Sequence, residues 1–175
     1  IAAFASPYIM IVITLFMFIS GTNLTLVYFG LNGNFKKIFG NNEFVFYTLI
    51  CLIFALIGSA VLYYKAGFSS GNAILDGAFH VVSIISTTGF YTHDYNLWGN
   101  TMIIILFILM FTGGTAGSTS GGIKIVRLLL ITKNSRQELK RLIHPNAFIP
   151  VRLSKHIIPQ NIIYNQLVFI TLYFI

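Results

Sequence analysis

Phe79-His-Val-Val-Ser-Ile-Ile-Ser-Thr-Thr-Gly-Phe90 ends a short apolar stretch in two threonines and a glycine, between longer hydrophobic spans. Asn72 to Ile85 has the length of a helix of about four turns, roughly 20 Å, and a bilayer's hydrocarbon core is about 30 Å thick. The stretch is too short to cross. Polar, glycine-containing backbone at membrane depth is tolerated only where protein or a water-filled path surrounds it. In an ion-conducting protein such backbone supplies carbonyl oxygens that replace an ion's water shell.

The composition places the chain in a membrane. Hydrophobic residues make up 56% of it, with 17 Phe and 9 Tyr, and charged residues only 9%. Mean hydropathy is +0.82, whereas a soluble domain carries about 25% charged residues. Net charge is +7, and six of the eleven basic residues (Lys133, Arg136, Lys140, Arg141, Arg152, Lys155) fall in one stretch broken by Pro145, Pro150 and Pro159. Clustering of that kind is better explained as a cytoplasmic loop under the positive-inside rule than as a nucleic-acid patch. The single cysteine, Cys51, excludes an internal disulfide. A chain that opens at Ile1 and closes inside the apolar run Ile162 to Ile175 reads as an internal piece of something longer.

Topology follows from the charges. Tyr8 to Phe29 is mostly apolar, and Gly21, Thr22, Asn23 and Thr25 put small and polar groups where the helix must pack against protein. Phe44 to Tyr64 is uncharged and close to the roughly 20 residues a crossing needs. Lys36 and Lys37 mark a cytoplasmic turn between these spans. If that turn and the basic stretch both lie inside, an even number of crossings separates them. Phe44 to Tyr64 then goes out, a span beginning near Leu97 returns, and Asn72 to Ser86 only dips in. The C-terminal end of such a re-entrant helix aims partial negative charge at the membrane interior, which favours a cation. Thr87 and Thr88 suit extended backbone, and Gly89 suits a positive φ that turns a carbonyl toward an axis. The competing reading is an extracellular hairpin on the membrane surface, with Thr-Thr-Gly as an ordinary turn.

Gly113-Gly-Thr-Ala-Gly-Ser-Thr-Ser-Gly-Gly122 interrupts the returning span between Leu97–Phe111 and Ile123–Ile131. Each glycine disfavours helix by about 1 kcal/mol relative to alanine, so the helix should break here, near mid-membrane. The freed carbonyls and the hydroxyls of Thr115, Ser118, Thr119 and Ser120 need partners, so the loop faces a polar cavity or other protein. A mobile loop just cytoplasmic of an ion-coordinating segment is a gate. The alternative is a helix packed closely through Gly113, Gly114, Ala116, Gly117, Gly121 and Gly122. A phosphate loop is excluded, because Ile123 and Lys124 stand where Lys and Ser/Thr are required.

Lys124 and Arg127 follow before the membrane exit is clear, a depth at which charges are rare. Either they snorkel to the cytoplasmic surface or Lys124 stands near the permeation path as an electrostatic barrier. Asp76 and His80 share one helix face and are read as a structural or mouth-lining pair. His93, His144 and His156 are scattered in loops. Asp94 is a solvated carboxylate or a means of raising local cation concentration.

At Ser83-Ile-Ile-Ser-Thr-Thr-Gly-Phe90, at Phe111-Thr-Gly-Gly-Thr-Ala-Gly-Ser-Thr-Ser-Gly-Gly-Ile-Lys124 and at Arg136-Gln-Glu-Leu-Lys-Arg-Leu-Ile-His-Pro145, the chain resembles pore-forming subunits of the Trk/Ktr/HKT superfamily of potassium transporters, of the TrkH type. The resemblance implies an all-α integral membrane protein built from repeats of membrane helix, re-entrant pore helix, filter loop and membrane helix. Residues 1–30 would be the last helix of the second repeat and 31–43 a cytoplasmic turn. Residues 44–132 would be the complete third repeat, with pore helix 72–86, filter 87–90 and intramembrane loop 113–122. A basic cytoplasmic loop 133–160 and the start of the next repeat at 161–175 complete the chain. Thr87, Thr88 and Gly89 would give backbone oxygens to one quarter of a potassium filter, with potassium the transported ion at Thr87 and Thr88 and no covalent cofactor. The resemblance also implies lipid contact, a bacterial inner (plasma) membrane, a homodimer and a cytosolic TrkA-type nucleotide-binding ring on the basic stretch. A secondary transporter with discontinuous helices is the other reading. An enzyme is not expected, since neither Ser118 nor Ser120 sits in a G-x-S-x-G arrangement.

Overall fold

A computed structural model describes residues 6–65, 67–94, 98–143, 150–154 and 156–175. Eight helices and one small hairpin make up these residues. Helix α1 (Pro7–Ser20) begins with proline at its first turn, where a missing N–H costs nothing, and ends at Gly21. Asn23 caps helix α2 (Leu24–Leu31) by accepting from the Thr25 N–H at 2.8 Å. The two helices meet at 116°. The single helix expected across Tyr8 to Phe29 is therefore two. Gly21 closes one while Asn23 opens the other, and a side chain at Gly21 would run into the Tyr47 hydroxyl.

The turn that follows holds the short helix α3 (Phe35–Phe39), with the Lys37 ammonium 4.3 Å from the Phe29 ring centroid. Helix α4 (Asn42–Lys65) is, among the described residues, the one unbroken helix long and apolar enough to cross a membrane. The Asn41 side chain accepts from the N–H groups of Glu43 and Phe44 at 2.9 and 3.2 Å, so the helix starts ahead of the apolar run and draws Glu43 into its first turn.

Helix α5 (Ser70–Ile85) is about 24 Å long at 1.5 Å per residue. It starts two residues earlier than the sequence suggests and ends at Ile85, with Ser86 as its cap. It packs most extensively on α4, then on α1 and on α6 (Asn100–Met110). A Cβ on Gly77 would lie 2.7 Å from the Ser59 backbone nitrogen, so this glycine is what lets α4 and α5 approach. Phe79 and Val82 fill against Met10 and Met17 of α1. Val81 and Ile85 join Tyr47, Cys51, Leu109 and Ile125 in a cluster that ties four helices together.

Helix α7 (Ile125–Ile143) runs well past Lys133. The first third of the basic stretch 133–160 is thus helix rather than loop, because no proline or glycine interrupts the chain before Pro145. Strands β1 (Arg152–Leu153) and β2 (His156–Ile157) form an antiparallel hairpin, and helix α8 (Gln160–Tyr173) starts directly after Pro159. Val151, Leu130 and Ile163 pack the hairpin and α8 onto α7. The expected His144 lies outside the described residues.

Candidate functional site

Three successive N–H groups fold back onto the end of α5. Thr87 N–H donates to Ile84 O and Thr88 N–H to Ser83 O, both at 2.9 Å, and Gly89 N–H donates to Ser83 O at 3.3 Å. Two residues of the turn are left-handed, with φ +55° at Thr87 and +76° at Gly89. Gly89 was expected to take a positive φ. Thr87 was expected to be extended and instead holds a conformation that costs a non-glycine residue of order 1–3 kcal/mol. With the N–H groups turned back, no donor among the described residues is assigned to the carbonyl oxygens of Thr87, Thr88 or Gly89. All three residues are exposed.

Side chains behind the turn hold it in place. The buried Ser83 hydroxyl donates to Phe90 O at 2.7 Å, and Ser86 Oγ lies 2.9 Å from Thr88 Oγ1. The chain beyond is tied to α5 by Asp76, whose carboxylate accepts from Thr92 Oγ1 at 2.7 Å and lies 3.3 Å from His93 Nδ1. Asp76 and His80 do not pair through their side chains. His80 Nδ1 faces the Asp76 backbone carbonyl at 2.9 Å, and its Nε2 accepts from Thr92 N–H at 3.4 Å. His93, expected as an isolated loop residue, belongs to this network, whereas His156 sits on β2. Asp94 is exposed beside the turn and lines, with Gly89, Phe90 and Tyr91, a cavity of about 710 Å³.

The glycine-rich segment separates α6 from α7 as a closed loop whose two ends lie side by side. Thr112 and Ile123 form a parallel bridge; Gly113 N–H donates to Ile123 O at 2.9 Å and Ile123 N–H to Phe111 O at 3.0 Å. No helix runs through Gly113–Gly122, so the close-packed continuous helix is excluded, and a Cβ on Gly113 would collide with the Gly121 carbonyl. Inside the loop, the Lys124 ammonium donates to Ser118 O at 3.2 Å and to Ser120 O. Lys124 therefore turns back into the loop instead of reaching for the membrane surface. Arg127 lies with its guanidinium carbon 3.5 Å from the Phe169 ring centroid of α8.

The structure brings the two singled-out stretches into contact: Gly121 N–H donates to Thr87 Oγ1 at 2.8 Å. It also adds Glu43, which no motif singles out, and gives Asn23 and Gly21 their partners. Glu43, on α4, accepts from Ala116 N–H, and Asn23 Nδ2 donates to Ala116 O at 2.6 Å. Gly21 O accepts from Thr115 N–H at 2.9 Å. The requirement that the Gly21 to Thr25 region meet protein is satisfied by this loop. A signal for Glu43 was available, since it is a lone acid at the mouth of an uncharged span.

A family model described as TrkH, cation transport protein, matches residues 43–175. The chain is 36% identical over 162 residues to the Trk system potassium uptake protein TrkH of Salmonella typhimurium, covering 91% of this chain and 34% of that protein. It is also 36% identical over 165 residues to the protein of that name from Escherichia coli K12, covering 93% and 34% respectively. The crystal structure of the potassium transporter TrkH from Vibrio parahaemolyticus superposes with a TM-score of 0.90 at 31% identity, covering 98% of this chain and 37% of the other. The chain therefore spans about a third of the length of these relatives, and it belongs to the TrkH family, with that family's all-α integral membrane fold.

Proposed function

We propose that the chain forms part of a potassium-uptake pore in a bacterial inner membrane, with Thr87, Thr88 and Gly89 as one of several filter segments and Gly113–Gly122 as the gate beneath them. The observation that carries this reading is the exposed turn at the end of α5, whose carbonyl oxygens have no donor among the described residues while its N–H groups are folded back. Carbonyls so arranged can replace a cation's hydration shell, and the C-terminal dipole of α5 adds to the attraction. Potassium as the ion comes from the relatives, which are named potassium uptake proteins.

The same reading gives Lys124 an electrostatic role. Its charge is fixed inside the loop, where a displaced loop would move it relative to passing ions. Lys133, Arg136, Lys140 and Arg152 line one groove between α7 and the hairpin, and Lys133 Nζ donates to Arg152 O at 2.9 Å. This basic surface is where a cytosolic TrkA-type nucleotide-binding ring would dock, and the full-length subunit would pair as a homodimer. The breaks at α1/α2 and α6/α7 are what a secondary transporter with discontinuous helices would also display. The short α5, ending in carbonyls with no donor among the described residues, favours the pore.

Introducing Gly89→Asp or Gly89→Arg into the full-length subunit should abolish potassium uptake while leaving the protein inserted. A side chain there forces a left-handed residue to carry a Cβ and puts a charge among the carbonyls. Normal uptake by the inserted variants would remove the filter assignment.

A further inference from the structure

The loop is anchored to the rest of the molecule mainly at three residues, Thr115 to Gly117. Gly21 O accepts from Thr115 N–H at 2.9 Å, Gly117 O accepts from Leu24 N–H at 3.4 Å, and the Ala116 peptide between them is gripped on both sides. Its N–H goes to the Glu43 carboxylate and its carbonyl to the Asn23 amide. Glu43 is 9% exposed, and its carboxylate lies near Lys124 and the Val126 backbone in the first turn of α7. One buried carboxylate on α4 thus bonds to the loop and lies beside the start of the helix that carries the basic surface. A buried charge stripped of its partners is costly, so this arrangement resists displacement of the loop while α7 stays in place.

Building on the gate assignment above, we propose that Glu43 and Asn23 form a latch on the Ala116 peptide that keeps the loop beneath the turn at Thr87–Gly89. Glu43 is the point at which a shift of α7 is converted into release. When α7 moves, the start of that helix shifts away from the carboxylate beside it, the carboxylate follows or rehydrates, and Ala116 is freed. Lys124 keeps Ser118 to Ser120 folded, so the loop leaves as one body rather than unravelling. Glu43 and Asn23 are positioning residues. They touch the loop and not the ion.

The test is potassium and sodium flux per inserted full-length subunit in liposomes, for Glu43→Ala, Glu43→Gln, Asn23→Ala and a deletion of Gly114–Gly121. The latch predicts that Glu43→Ala and Asn23→Ala raise potassium flux without the regulatory partner, by roughly tenfold where one charge-assisted hydrogen bond is lost. Glu43→Gln, which keeps an acceptor, should rise less, and the potassium-to-sodium ratio should not change. A merely structural role would lower the amount of inserted protein and leave flux per subunit as it was. If the deletion raises flux and neither Glu43→Ala nor Asn23→Ala does, the latch is overturned and the gate stands. If the deletion also leaves flux unchanged, the gate reading fails and the latch with it. Should Glu43→Ala fail to insert, Asn23→Ala on the other side of the same peptide decides by the same criterion.

Discussion

The turn at Thr87–Gly89 and the loop at Gly113–Gly122 are both irregular backbone among membrane helices, yet they meet the demand for hydrogen bonds in opposite ways. In the turn, the N–H groups are satisfied by the end of α5 and the carbonyls have no donor among the described residues. In the loop, anchoring comes from outside: Glu43 and Asn23 side chains, the Gly21 carbonyl and the Leu24 N–H. The backbone of the turn is folded by hydrogen bonds to its own helix, with the Thr87 side chain its contact to the loop, which suits oxygens that must hold a fixed spacing around an ion. The loop owes its position to α1, α2, α4 and α7, so any of these can move it. On the proposed reading, fixed geometry in one and borrowed geometry in the other is what would separate a selecting element from a gating one.

Breaking the borrowed geometry outright gives the largest effect. Deleting Gly114–Gly121 in the full-length subunit should raise potassium flux, with the potassium-to-sodium ratio kept because the turn is untouched; a changed ratio would mean that the loop shapes the turn. A smaller effect is expected where the regions touch. Thr87→Val removes the acceptor for Gly121 N–H, a bond worth about 1 kcal/mol net, while preserving side-chain shape. Flux at rest should then rise by a few-fold, Thr87→Ser should restore it, and no change with Thr87→Val would show that the two regions act independently.

Much of this contrast was legible in the residues. The shortness of α5, the break at five clustered glycines and the positive φ at Gly89 follow from length, helix propensity and the absence of a Cβ. The conformation of Thr87 was not legible, because β propensity favours extended threonine, and only the fold-back of three N–H groups onto Ser83 and Ile84 imposes the left-handed turn. The helical start of the basic stretch was obscured by its charge, although the spacing of Leu139, Leu142 and Ile143 fits a helix face. Contacts between distant residues were out of reach. Glu43 and Ala116 stand 73 residues apart and Asn23 and Ala116 stand 93 apart, so no local pattern links them. The pairing of Asp76 with Thr92 and His93 was hidden behind a nearer candidate, His80, which shares the helix face but uses its ring nitrogens on backbone atoms.

The central claim, that the carbonyls of Thr87, Thr88 and Gly89 coordinate the transported ion, is tested most directly by a crystal structure of the full-length subunit grown with thallium or rubidium in place of potassium. Anomalous density within coordination distance of those carbonyl oxygens is the predicted result. Density elsewhere along the membrane path, with none beside this turn, would contradict it.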